Sequence, residues 1–420
     1  MIAHRQIAPG WKTRLEGERG QVMVLMCLSM IAIMGLIGMV ADVGFLQQQR
    51  NRMQTAADSA ALAGAQEISY GDTVAAGKAD ATSNGFTNGQ SNVTVAINNP
   101  PTLGPNAGTY GYVEAIVTTS EPAYFLHVLG FTTISVSARA VATAGNSPNC
   151  VYVMDPSAPS AMLVNGNVTI QSGCGLLIDS SSPSGLSFNG NVTITASTIG
   201  VAGGYSSNGN VTLTPTPKTG IVTAPDPLAY VQAPSVGACG HSSFVLNGNT
   251  GSSGSPYQLY AGVYCGGITV NGNAWLTFNP GIYVLAGGGL KINGNAIMTG
   301  TGVTFYDTTG SGGYQPIVIN GNSTSTFSAP TSGALAGILF FQDRSILSGI
   351  GSTINGNASS TFDGALYFPT TSVTYNGNSS GGGYSLVVAD KLTTNGNSTV
   401  GSNYSSLANG SPIKAPVLSE

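Results

Sequence analysis

The tripeptide Asn-Gly-Asn occurs ten times, beginning at Asn165, Asn189, Asn208, Asn247, Asn271, Asn293, Asn320, Asn355, Asn376 and Asn395. Most intervals run from 19 to 27 residues, the length of one turn of a solenoid, and a period of that size restricts a chain to stacked repeats. A short β-branched run precedes the tripeptide, as in Met162-Leu163-Val164 and Ile268-Thr269-Val270, and another follows it, as in Val168-Thr169-Ile170. A third, more apolar run closes most repeats: Leu176-Leu177-Ile178, Ile282-Tyr283-Val284, Ile338-Leu339-Phe340-Phe341. Three short strands per turn predict an all-β parallel β-helix of about ten coils. Glycine between two asparagines supplies the left-handed backbone that a sharp corner needs. With coils about 4.8 Å apart, successive asparagines lie one above another and their amides can bond as a ladder.

Composition supports stacking over disorder only because the pattern is regular. From Asn146 to Glu420 there are five basic and eight acidic residues in 275 positions, so this region depends on backbone bonds and polar ladders. The sparse charge offers nucleic acid no electrostatic footprint. The cysteines test the register independently. Cys150 and Cys174 each lie 15 residues before a tripeptide, at Asn165 and Asn189. That phase sets them one coil apart, inside the roughly 4.4–6.8 Å Cα separation of a disulfide. Cys239 and Cys265 lie 8 and 6 residues before Asn247 and Asn271 and form the second expected pair. Two intervals are long. Residues 215–238, rich in proline, are expected to leave the helix as a loop, and the excess between Asn320 and Asn355 is expected near Ser328 to Leu335. Excursions on a rigid scaffold are where binding often resides.

Parallel β-helices often serve as polysaccharide lyases and glycosidases, which need two carboxylates facing one cleft. Counted back from the next tripeptide, Asp307 and Asp363 sit at minus 13 and Asp343 at minus 12, so a carboxylate column is conceivable, with a metal or a catalytic role. Asp390 falls on another face, Arg344 is the only arginine of the array, and His241 its only histidine. The plainer reading has each aspartate bonding its own turn, as Asp commonly does. No metal-ligand spacing, nucleophile triad or complete phosphate-binding glycine motif is present, so no catalytic residue, metal site or cofactor is assigned.

Ahead of the array, Gly20 to Ala41 has no charged residue and is long enough to cross a hydrocarbon layer of about 30 Å as a helix. A secretory signal has an apolar core of only about 7–15 residues; this run exceeds it, which favours an uncleaved anchor. The preceding tail, residues 1–19, carries His4, Arg5, Lys12, Arg14 and Arg19 against Glu16 and Glu18, and a cationic flank stays on the cytoplasmic side. From Phe45 to Ser69 nothing stops the helix, which is expected to run over 20–69 with a small-residue stripe at Met53, Ala56, Ala57, Ala60 and Ala63. Residues 70–145 read as a small α+β domain. Its expected parts are a helix in 72–86, strands at 92–97, 110–119 and 133–143, and a short helix over Glu121 to Gly130 with Pro122 in its first turn. The β-helix is expected over 146–410, followed by a tail, 411–420.

Arg19-Gly20-Gln21-Val22, the exit Asp42-Val43-Gly44, and the string Arg50, Arg52-Met53-Gln54 and Ala56-Ala57-Asp58-Ser59-Ala60-Ala61-Leu62-Ala63-Gly64-Ala65 resemble the N-terminal module of the TadG-like proteins of Flp (Tad) pilus assembly. The resemblance covers roughly residues 19–70. It implies a single-pass inner-membrane protein whose bulk faces the periplasm or the outside, associated with a pilus or secretion apparatus. Pilins handled by the same machinery carry a glutamate at the fifth mature position; counted from Gly20, that position here is Leu25, which again fits an uncleaved anchor. The expected role is structural: the lipid bilayer, pilus-assembly or envelope proteins, and surface carbohydrate are the candidate partners, with an enzyme acting on extracellular polysaccharide as the alternative.

Overall fold

The computed structural model describes residues 19–420 except 70, 321, 348–349, 357–359, 378, 381–384, 397, 401–402 and 408–409. The cationic tail thus lies, apart from Arg19, outside the described residues. The chain divides into two units, Met1–Ala144 with Pro416–Glu420, and Gly145–Ala415.

In the first unit, α1 (Arg19–Gln66) is one continuous helix of 48 residues. Its first half turns large apolar side chains outward on all sides, Val24, Met26, Leu28, Ile31 and Leu36 among them, the pattern of a helix suited to hydrocarbon rather than water. Its second half buries a stripe of Met53, Ala56, Ala57, Ala60, Ala61 and Ala65. Ala63 of the expected stripe is only half-buried, because at 3.6 residues per turn the face drifts to Gly64 and Ala65. Small residues let α2 (Thr73–Ser83) come close: a Cβ on Gly77 would lie 3.0 Å from the Ala60 carbonyl oxygen. Asp72 caps α2 by accepting the N–H groups of Val74 and Ala75.

An antiparallel sheet of β1 (Thr94–Asn98), β2 (Tyr112–Pro122) and β3 (Thr133–Asn146) completes the core, with Val95 opposite Val117 and Ala115 opposite Ala140. The short helix expected from Glu121 is smaller: β2 runs through Pro122, and only Leu126–Leu129 winds, as one 3-10 turn. The expected tail 411–420 is corrected more substantially. Lys414–Leu418 is a fourth strand beside β3, and Val141 N–H donates to the Glu420 carbonyl at 3.0 Å. Arg139 binds Glu114 and Glu420, each at 2.6 Å. In chain order the second unit is therefore an insertion within the first.

The second unit is a parallel β-solenoid of about 11 turns with three faces. Along the first face, inward residues stack in columns such as Leu246, Val270, Ile292, Ile319, Ile354 and Tyr375. The third face carries an aromatic file, with Tyr283 to Phe305 and Phe305 to Phe340 ring centroids 5.5 Å apart, and each fully buried ring contributes on the order of 2–3 kcal/mol.

Coils do not stack in chain order. Residues 162–164 pair upward with 186–188, and these with 205–207. At the far end 244–246 pair with 268–270, and the series continues through 290–292, 352–354 and 373–375 to 392–394. Leu392, Thr393 and Thr394 then pair with Met162, Leu163 and Val164. The last coil thus seats beneath the first, parallel and with the same sense. From bottom to top the corners read 247, 271, 293, 320, 355, 376, 395, 165, 189, 208. The proline-rich segment is not a local loop but a strap that leaves the top of the stack and re-enters at the bottom. Nine coil steps of about 4.8 Å make roughly 43 Å, well within reach of the intervening chain. The excess after Asn320 falls at 329–337, near its expected place, and again after Asp343.

Candidate functional site

Corner glycines take the positive φ that the repeat predicts: +100° at Gly166, +101° at Gly190, +92° at Gly272 and +101° at Gly294. They serve a second purpose. A Cβ on Gly272 would lie 2.9 Å from the Gly248 carbonyl oxygen, and one on Gly294 2.7 Å from that of Gly272, so these corners lie on bare backbone below. Amide bonds run up the same edge, the upper asparagine always donating. In the lower coils the first asparagine carries a ladder, Asn271 to Asn247 at 2.9 Å, Asn293 to Asn271 at 3.0 Å, then Asn355 to Asn320, Asn376 to Asn355 and Asn395 to Asn376 at 2.6–2.8 Å, and the second asparagine adds Asn273 to Asn249 at 3.1 Å and Asn295 to Asn273 at 3.2 Å. In the top coils, which hold Asn165, Asn189 and Asn208, bonds run along the second asparagine, Asn191 to Asn167 and Asn210 to Asn191. Both disulfides form, Cys150–Cys174 and Cys239–Cys265, each with a Cα separation of 5.7 Å.

The conceivable carboxylate column is overturned. Asp307 pairs across the third face with Gln342, whereas Asp363 pairs with Ser328 on the second. Asp343 lies one position beyond Gln342, where it accepts from Thr308 at 2.6 Å and from Ser345 N–H at 2.9 Å. These bonds outweigh its partial burial and lower its pKa. Asp307 is fully buried, and among the described residues neither carboxyl oxygen has a hydrogen bond of ordinary geometry; the likewise buried Tyr314 hydroxyl is its polar neighbour. Burial raises the Asp307 pKa well above the usual carboxylate range, which favours the neutral acid. Asp390 lies beside Lys391, which is 3.1 Å from Asp155. Among the described residues no group of three acidic, His or Cys side chains is placed to hold a metal ion. His241 stacks on Tyr264, centroids 4.6 Å apart.

Arg344 holds the strap. Its guanidinium donates to the carbonyls of Leu228 at 2.5 Å and Val231 at 2.9 Å and lies 3.6 Å from Asp226. It rests between the Phe341 and Tyr367 rings, 5.1 and 5.0 Å from their centroids. The Tyr367 hydroxyl bonds Asp226; burial first, then that carboxylate, raises the tyrosine pKa. Leu228 and Val231 are buried against the stack, Ala224 N–H donates to Asp179 at 3.1 Å, and the second disulfide pins the strap's lower end. Burial raises the Asp179 pKa against that bond. Sequence reasoning singled out Arg344 only as the array's lone arginine; five prolines in a segment otherwise free of alternation were the signal for its ligand.

Where the last coil meets the first, the interior opens into a cavity of about 60 Å³ lined by Val151, Met162, Leu366, Val387, Leu392 and Thr394. The Thr394 hydroxyl is buried there, without a partner among the described residues, as is Asn395 Oδ1 at the corner.

Fold and site together define a helix-anchored β-solenoid. The family model for putative Flp pilus-assembly TadE/G-like proteins matches residues 20–67, the apolar helix and its extension. No curated protein and no solved structure matches the chain.

Proposed function

We propose that this chain is an envelope protein held in the inner membrane by α1, with its bulk in the periplasm or outside the cell, and that it serves Flp/Tad pilus assembly or adhesion. The observation that carries this reading is the family match over 20–67 falling on the one described helix long and apolar enough to cross a membrane. The role we assign to the solenoid is to bind or space envelope components rather than to catalyse. Asp307 is fully buried, Asp343 is bonded into its own turn and Asp363 lies on another face, and a corner-to-corner amide ladder with disulfides makes a rigid scaffold. Pilus-assembly proteins and surface carbohydrate are the partners this reading implies.

A deletion series tests it. Asn146 accepts from Ser411 N–H at 2.9 Å, so residues 147–410 can be removed with a minimal junction. Loss of the whole chain is expected to abolish pili or surface attachment, counted by electron microscopy and adhesion assay. The 147–410 deletion is expected to keep membrane fractionation and lose the surface phenotype. Unchanged piliation and adhesion without the chain would sink the reading.

A further inference from the structure

Between β2 and β3 the loop Ala123–Thr132 carries no Asp, Glu, Lys or Arg, yet it exposes four large apolar side chains. Tyr124 is 63 % exposed, Phe125 54 %, Val128 87 % and Phe131 57 %. Such a cluster on a small domain marks an interaction surface. Its position is fixed by the helix. Asp42, almost fully buried, accepts the N–H groups of Phe125 at 2.8 Å and Leu126 at 2.7 Å, capping the 3-10 turn. The Phe125 ring lies against Gly38, where a side chain would collide with it, and Tyr124 meets Phe45 edge-on at 5.9 Å.

These contacts fall where α1 leaves the hydrocarbon. Counting about 1.5 Å per residue from Val22, a layer of about 30 Å ends near Ala41, between Gly38 and Phe45. On the same helix face as Gly38, Asp42 and Phe45, one and two turns into the span, Met34 and Ile31 are exposed and apolar as well, so the loop continues an apolar face of the span. Aromatic rings with aliphatic neighbours at that depth have the composition of a membrane-interface belt, and amphipathic elements at this boundary sink about 5–10 Å.

We infer that Tyr124, Phe125, Val128 and Phe131 form a second membrane contact, a wedge seated in the headgroup and upper acyl region of the leaflet where α1 emerges. Asp42 is its positioning residue, tying the loop to the span. The inference rests on the reading of α1 as a membrane anchor. It extends that reading from a tether to a domain held at a defined height.

The test uses the full chain in vesicles of phosphatidylethanolamine and phosphatidylglycerol, with the free Cys27 replaced by alanine and one new cysteine bearing an NBD fluorophore. Val128→Cys reports the wedge, Leu36→Cys the span, and Tyr110→Cys, on an exposed position of the same domain, the aqueous reference. Nitroxides near the lipid headgroup are expected to quench the Val128 probe several-fold more than the Tyr110 probe, with a blue-shifted emission. Adding Asp42→Ala should return the Val128 probe towards the reference while leaving the Leu36 probe unchanged. A quenched Leu36 probe with a Val128 probe no different from Tyr110 would overturn the wedge and leave the anchor standing. A Val128 probe shielded from aqueous iodide but not quenched by lipid would also overturn it, assigning the patch to a protein. An unquenched Leu36 probe would defeat the anchor and the wedge with it.

Discussion

Replacing Gly272 by alanine separates the two contributions that the corner makes. At φ +92° a side chain costs about 1–2 kcal/mol in backbone strain. The new Cβ would also sit 2.9 Å from the Gly248 carbonyl oxygen and 3.1 Å from its Cα; backbone cannot rotate aside, so the coils must part, at about 1–3 kcal/mol. The expected loss is about 2–5 kcal/mol. Gly248→Ala is the control, since Gly248 has φ +75° but open space around its missing Cβ; it should lose only the first part, about 1–2 kcal/mol. Asn271→Ala removes one donated and one accepted amide bond on an exposed edge and should cost about 1–2 kcal/mol. Urea unfolding of the full chain in detergent, followed by Trp275 fluorescence in a Trp11→Phe background, reads this corner directly, because Trp275 N–H donates to Thr250 across the same coil boundary. If Gly248→Ala costs as much as Gly272→Ala, close approach of coils contributes nothing. If Asn271→Ala costs most, the amides and not the glycines hold the corner.

Four further outcomes are expected. Glu114 has a pKa of about 2: burial would raise it, but bonds from Thr102, Arg139 and Asn98 outweigh that. Held below its ordinary 4.5, it contributes about 3 kcal/mol, present above pH 4.5 and lost as pH falls towards 2; Glu114→Gln should flatten this acid limb in thermal melts. Asp307 behaves oppositely. Its raised pKa means that stability is fullest below about pH 3.8 and declines as pH rises towards the folded-state value, so Asp307→Asn should raise the urea midpoint at pH 7 and leave it unchanged at pH 3. Arg344→Ala strands two carbonyls and Asp226, at about 2–4 kcal/mol, and limited proteolysis should then cut within 221–238 much faster. Thr394→Val removes an unpartnered hydroxyl from an apolar cavity and should gain about 1 kcal/mol, read as a higher Tm.

What could be read from the chain depended on how local the cause was. The corner demands glycine at every coil, so the repeat and both cysteine pairs follow from counting. The apolar helix is equally legible, since a long uncharged run satisfies its own backbone hydrogen bonds as a helix without help from neighbours. Coil order is not, because every coil of a parallel stack offers its neighbours the same edges, and nothing near Asn395 distinguishes Met162–Val164 from any other upper partner. Counting back from the tripeptide misplaced the aspartates because the path from aspartate to corner differs: an irregular segment, 309–317, follows Asp307 and another begins after Asp343, whereas Asp363 reaches Asn376 within one strand, Thr361–Gly377. The final strand, Lys414–Leu418, contains a proline and no alternation, so only its partner β3 makes it a strand.

The seam between first and last coils governs how such a chain can be made. Val151 waits for Val387, more than half the polypeptide later in synthesis. Until then the three coils made first present an unpaired lower edge, and seven others must assemble from the opposite end and rise to meet it. Closure of that seam, like the later pairing of the final strand with β3, is a strongly non-local event and is expected to slow maturation, so interruption late in synthesis would leave a sticky, half-built product for quality control to remove.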